Sequence, residues 1–84
     1  MKPIRLSGHA RLRIGQRGAT EQEVAETIRE AAWVAAERGR KECQKDFNFG
    51  REWNRRIYAT KRVRPIFVDD PREILVVTVY VYYF

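Results

Sequence analysis

The last twelve residues, EILVVTVYVYYF, constrain the fold of this chain more than any other segment. Apolar side chains follow one another there almost without interruption, so both faces of an extended segment would be apolar. A strand with one face in water alternates between apolar and polar residues, whereas a strand buried on both faces does not. The run therefore predicts an interior strand over residues 74 to 82 that is covered on each side. The eleven residues of the apolar run from Ile74 to Phe84 are too few for a membrane helix.

Two segments near the N-terminus predict helices. Ser7 is a suitable N-cap for a first helix over residues 8 to 17. In the second segment, Thr20 and Glu23 have the spacing of a capping box, and apolar residues then recur at helical intervals. The second helix is therefore expected over about residues 21 to 31.

Strands are predicted after residue 32, where the spacing of apolar residues changes from helical to alternating. The stretch from 33 to 49 predicts a hairpin that turns near Gly39 and Arg40. A long strand is expected over residues 55 to 68, and Pro65 within it predicts an edge position or a bulge.

These elements fit one domain spanning residues 1 to 84. Two helices followed by about four strands predict an α+β fold, with the N-terminal helices packed on one face of a roughly four-stranded antiparallel sheet. The single cysteine, Cys43, excludes an internal disulfide, and no cysteine or histidine spacing is typical of a zinc site. We expect no metal and no cofactor. The cysteine usage and the lack of an apolar signal core in the first thirteen residues favour a cytoplasmic location.

The net charge of +6 is unevenly distributed along the chain. Residues 1 to 18 carry five basic groups and no acid, whereas residues 21 to 37 carry five glutamates and one arginine. Residues 38 to 64 carry ten basic groups and three acids. This order predicts a positive face that meets an anionic partner, such as RNA, although chance clustering in a basic protein is the alternative.

The only histidine, His9, lies near the start of the first predicted helix. At a spacing of four residues, His9, Arg13 and Arg17 share one polar face of that helix. A helix N-terminus favours bound phosphate and a neutral imidazole. We therefore identify His9 as a candidate for proton transfer, and Arg13 and Arg17 as candidates for phosphate binding. The alternative is a capping histidine on a solvated helix face.

A second group of candidates lies on the two C-terminal strands. Arg62 and Arg64 share one strand face and are candidates for RNA phosphates. Tyr82 is a candidate for proton transfer, which a phenol performs near neutral pH only with help from neighbouring cations. Four earlier aromatic residues could stack unpaired bases or could belong to the core: Phe47, Phe49, Trp53 and Tyr58.

The stretches HARLRIGQRGATEQEV, GRKE, WNRRIYATKRVRPIFV and EILVVTVYVYYF together span nearly the whole chain. They resemble a set of small bacterial domains placed near the BrnT, RelE and ParE toxins of type II toxin–antitoxin systems. The resemblance implies a compact RelE/ParE-like sheet packed by two N-terminal helices. It also implies action on RNA, because nuclease members of these families cut mRNA without a metal, using basic and aromatic side chains on the sheet.

The residues and the resemblance lead to two alternative functions. The first is an RNA-binding toxin-like domain that could also be a metal-independent mRNA endoribonuclease. Cleavage by the 2′-hydroxyl needs a base, an acid and cations, which His9 or Tyr82 and the arginines would supply. The second is a non-catalytic protein-interaction module, either a ParE-like inhibitor or a subunit that docks an acidic antitoxin protein.

Overall fold

The computed structural model describes residues 2 to 84, which form two helices and six strands. In chain order the elements are β1 (Ile4–Leu6), α1 (Gly8–Arg17), α2 (Glu21–Glu30), β2 (Val34–Ala35), β3 (Lys41–Glu42), β4 (Lys45–Trp53), β5 (Arg56–Asp69) and β6 (Ile74–Tyr83). Neither helix is long and apolar enough to cross a membrane, so no helix in residues 2 to 84 could span one.

The predicted caps of both helices are present. The Ser7 hydroxyl accepts a hydrogen bond from the Ala10 amide at the start of α1. In α2 the Thr20 hydroxyl accepts from the Glu23 amide, while the Glu23 carboxylate accepts from the Thr20 amide, which completes the capping box. Helix α1 ends at Gly18, whose φ of 79° is the left-handed conformation that favours glycine.

The sheet is mixed, and the expectation of a roughly four-stranded antiparallel sheet is wrong. Its order is β1-β6-β5-β3-β2, and β4 also pairs with β5. Strand β1 is parallel to β6, whereas every other pair is antiparallel. Three residues are too few to show a strand pattern in a sequence, and their partner lies about seventy residues away, so local reasoning missed β1.

An interruption opposite Pro65 also raises the number of strands, because it divides one extended segment into β3 and β4. Strands β3 and β4 keep one register against β5 and are separated only by Cys43 and Gln44. The Cys43 amide donates to the Pro65 carbonyl at 3.4 Å, but proline has no N–H to return the bond. The predicted edge position is therefore not found, since β5 is an interior strand, but β5 does have a register shift between Ile66 and Phe67.

The two helices cover one face of β5 and β6, which we call the covered face. Its fully buried side chains include Val63 and Phe67 of β5 and Val76 and Val79 of β6, which pack with Ile14 and other helix residues. The opposite face carries no helix in the described chain, and we call it the open face. It presents Arg62, Arg64 and Ile66 of β5, Thr78, Tyr80 and Tyr82 of β6, and Phe84.

The apolar sequence of β6 predicted a strand covered on each side, and this prediction is wrong. Tyr80 and Tyr82 are 41% and 43% exposed on the open face. The strand is interior only at Ile74–Val76, where β1 pairs with it, and its outer edge has no strand partner in residues 77 to 83. The tyrosines account for the wrong prediction. A tyrosine ring is apolar whether it packs in a core or lies under a cation, so tyrosines in a sequence do not show that a strand face is buried.

Candidate functional site

Three contacts between arginines and aromatic rings line the open face. The guanidinium carbon of Arg17 lies 5.2 Å from the ring centroid of Tyr80, and that of Arg64 lies 5.7 Å from the same centroid. The guanidinium carbon of Arg62 lies 4.9 Å from the ring centroid of Phe84. All three distances are within the ~6 Å at which a cation and a ring attract each other. The open face thus combines positive charge with partly exposed aromatic surface.

Arg17 belongs to α1 and reaches the open face around the outer edge of β6. Its Nη1 donates to the Val79 carbonyl at 2.6 Å, on the part of the edge that β1 leaves free. The backbone is held from the other side, because the Tyr83 hydroxyl donates to the Arg17 carbonyl at 2.7 Å. Arg17 is therefore positioned at both its main chain and its side chain.

Arg62 and Arg64 each pair with a carboxylate from a neighbouring strand. Arg62 donates to both carboxylate oxygens of Asp46, at 2.6 and 3.0 Å, and Arg64 donates through Nε and Nη2 to one oxygen of Glu42. The hydrogen bonds from Arg62 hold the pKa of Asp46 below its usual range. Both guanidinium groups keep further N–H donors, since an arginine has five.

A groove of about 670 Å³ adjoins the open face at the β2–β3 hairpin. Ile66, Thr78, Tyr80 and Arg64 of the open face line one side. The other side is lined by hairpin residues 35 to 38, Arg40 and Glu42. This volume is within the range of about 300–1,000 Å³ that is usual for ligand sites. The predicted hairpin turn near Gly39 and Arg40 is thus present, and it forms one wall of the groove.

The structure brings together four of the six residues predicted for the site. Arg17, Arg62 and Arg64 lie against the open face, and Arg64 Nη1 donates a long hydrogen bond of 3.4 Å to the Tyr82 hydroxyl. His9 and Arg13 are not joined to this set by any hydrogen bond among residues 2 to 84. The His9 imidazole is exposed at the second residue of α1, and Arg13 donates to Gln16 one turn further on.

Sequence reasoning missed Tyr80 as the ring that joins Arg17 to Arg64. The alternation of β6 places Tyr80 on the same side as Tyr82, but alternation alone does not show which side is covered by helices. Arg38 and Arg40 were also missed as groove residues, although both flank the predicted turn and neither forms an ion pair in the described chain.

Three of the aromatic residues proposed for base stacking pack around Tyr83 instead. The rings of Phe49, Trp53 and Tyr58 lie 5.1, 5.0 and 5.7 Å from the ring of Tyr83, measured between centroids. Burial raises the pKa of the Tyr83 phenol, which therefore stays protonated and keeps donating to α1. These rings form a structural cluster that supports the end of α1.

The remaining reactive groups form no second candidate site in residues 2 to 84. Burial raises the pKa of the Cys43 thiol to about 11, so this cysteine is a poor nucleophile near neutral pH. No group of three histidine, cysteine or carboxylate side chains that could hold a metal ion is found in residues 2 to 84.

Comparison with known proteins found no matching protein-family model, no matching curated protein and no matching solved structure.

Proposed function

We propose that this chain is a toxin-like domain that binds single-stranded RNA on the open face of its sheet. The observation that carries the proposal is the set of guanidinium groups placed over partly exposed rings, Arg17 and Arg64 on Tyr80 and Arg62 on Phe84. Proteins that bind single strands combine a positive surface for the backbone with aromatic side chains for the bases.

The ion pairs of the open face are compatible with phosphate binding. The carboxylates of Asp46 and Glu42 hold Arg62 and Arg64 in place, and their pairing leaves some N–H donors of each arginine for RNA phosphates. Tyr82 is 43% exposed, so its ring is available to stack a base.

The role as a type II toxin is proposed from the resemblance of the sequence to the BrnT, RelE and ParE group. RNA cleavage would require a proton-transfer group beside the bound phosphate, and Tyr82 lies next to Arg64 on the open face. We assign RNA binding to the open face, with Tyr82→Phe and His9→Ala as the variants that test whether cleavage accompanies it.

The test is RNA affinity measured against salt concentration by fluorescence anisotropy. Each phosphate that the protein no longer neutralises should reduce the slope of log K against log salt by about 0.7 for a single strand. The double variant R62Q/R64Q should bind more weakly and lower the slope by roughly one to two units. The control R11Q/R29Q removes the same charge from the exposed surface of α1 and α2 and should retain the slope. An equal reduction in both variants would contradict binding at the open face.

A second candidate function is docking of an acidic antitoxin protein, and the free edge of β6 favours it. Beyond Val76 the outer edge has no strand partner among the described residues. The Ser7 hydroxyl donates to the Val77 carbonyl at 3.3 Å, and Arg17 donates to the Val79 carbonyl. An extended segment of a partner could pair there as an added strand. Induced expression with and without a neighbouring small acidic reading frame, following growth and bulk mRNA together, tests this function. Relief of growth arrest by the acidic protein fits both functions, but arrest with intact mRNA favours docking alone, whereas loss of mRNA favours action on RNA.

A further inference from the structure

The groove beside the open face contains carboxylates as well as arginines. Arg38, Arg40 and Arg64 line it together with Glu37 and Glu42. Glu42 is engaged by Arg64, whereas Glu37 forms no ion pair within residues 2 to 84, despite its basic neighbours. The Glu37 carboxylate therefore offers two acceptor oxygens beside three arginines, which suits a ligand with hydrogen-bond donors as well as negative charge.

We infer that this groove selects a guanine base of the bound RNA, with Glu37 accepting hydrogen bonds from its N1–H and 2-amino groups. The inference rests on the proposed RNA-binding function. Guanine is the standard base that presents two adjacent donors on its Watson–Crick edge, and a carboxylate is an acceptor with two oxygens. Its O6 and N7 are acceptors that suit an arginine, and Arg40 lies on the same wall of the groove. The other bases lack this combination of donors and acceptors.

The position of Glu37 suits a specificity residue. It starts the turn Glu37–Gly39 at the tip of the hairpin, where Arg38 and Gly39 have φ values of 59° and 72°. The Arg40 amide donates to the Glu37 carbonyl at 3.2 Å, which closes this turn. The exposed Glu37 side chain can therefore be changed without disturbing the core.

The experiment compares eight-nucleotide RNAs by fluorescence anisotropy: all-uridine, and the same strand with one central guanosine, inosine or adenosine. Hydrogen bonds to a charged group correspond to roughly tenfold or more in affinity. We expect the guanosine strand to bind at least about tenfold more tightly than all-uridine RNA, and inosine, which lacks the 2-amino group, to lose much of this gain. Glu37→Gln should remove the preference for guanosine, measured as the ratio of the affinities for the guanosine strand and for all-uridine RNA.

The control Glu52→Gln makes the same charge change at an exposed position of β4 and should retain the preference. Equal affinity for all four strands would overturn guanine selection while leaving RNA binding intact. A preference that survives in Glu37→Gln would overturn the assignment to Glu37. Failure of the wild-type protein to bind any of the strands would overturn both this inference and the proposed function.

Discussion

Lys61 and Arg62 are neighbours on β5 that make similar contacts on opposite faces of the sheet. Lys61 pairs with Glu23 at 2.8 Å and lies over the ring of Phe49. Arg62 pairs with Asp46 and lies over the ring of Phe84. The difference is burial, because the Lys61 side chain is 4% exposed and the Arg62 side chain is 35% exposed.

Burial decides what each ion pair can do. The ammonium group of Lys61 also donates to the Gly18 carbonyl at 3.0 Å, so its charge is used to join β5 to the link between the helices. Arg62 is held in a defined position but remains in contact with solvent, where a ligand can reach it. The same pairing of a cation, a carboxylate and a ring therefore supports the fold on the covered face and forms the candidate site on the open face.

Replacing Lys61 and Arg62 by methionine, in two separate variants, is the strongest test of this comparison. Lys61→Met leaves Glu23 Oε2 and the Gly18 carbonyl without the donor that they share, although Glu23 Oε1 still accepts from the Thr20 amide. Breaking a buried pair costs about 3 kcal/mol or more in unfolding free energy. Arg62→Met breaks an exposed pair and should cost less than about 1 kcal/mol. Urea denaturation of both variants measures the difference, and similar decreases in stability would remove the distinction between the two faces.

Gly18 offers a second test of the covered face. A Cβ there would lie 2.5 Å from the Tyr83 hydroxyl and 2.7 Å from the Trp53 ring, and the φ of 79° is unfavourable for alanine. Gly18→Ala should therefore destabilise the protein by about 2 kcal/mol, combining overpacking with backbone strain. Gly15→Ala is the control, since nothing lies within 4 Å of its added Cβ, and it should stabilise α1 by up to about 1 kcal/mol. Thermal melts of both variants should show that Gly18→Ala lowers the melting temperature and that Gly15→Ala raises it.

On the open face, removing a carboxylate should strengthen RNA binding. Asp46→Asn releases the Arg62 guanidinium for phosphate and should raise affinity about twofold to fivefold, by roughly the free energy of one exposed ion pair. Glu21→Gln makes the same charge change beside Arg11 on the helices and should have a smaller effect. Titration with all-uridine RNA at physiological salt compares the two. Equal increases in affinity would mean that net charge, rather than Arg62, controls binding.

The exposed pairs should also produce a weak dependence of stability on acid pH. Hydrogen bonds from Arg62 and Arg5 lower the pKa values of Asp46 and Glu73 from their usual 3.8 and 4.5. A carboxyl group whose folded pKa is lowered adds stability above its unfolded pKa and loses it as the pH falls through the folded pKa. Melting temperature should therefore change little between pH 7 and about pH 5 and decline below about pH 4. Asp46→Asn should make that decline shallower.

The parts of the fold that were predictable from sequence depend on neighbouring residues. The caps at Ser7 and Thr20 and the hairpin turn near Gly39 each follow from a few consecutive side chains. The pairing of β1 with β6 and the division of the strand faces depend on contacts distant in sequence, so local patterns did not reveal them.

The candidate site likewise depends on contacts between residues that are distant in sequence. Alternation was sufficient to place Arg62 and Arg64 on one face, but their carboxylate partners depend on the register between strands. Asp46 lies directly opposite Arg62 in the β4–β5 pair, and no local feature of either segment indicates this. Tyr80 was missed because the apolar run of β6 predicted a strand covered on each side, and aromatic side chains are common in cores.

The contacts around Arg17 give the molecule an optical reporter of its own open face. The side chain of Arg17 lies over Tyr80, while its carbonyl is held by Tyr83, and the indole of Trp53 stacks on the Tyr83 ring at an angle of 19°. A ligand that draws Arg17 away from Tyr80 would change the surroundings of this indole. With Trp33 replaced by phenylalanine, the emission of Trp53 would follow occupancy of the open face without any attached dye.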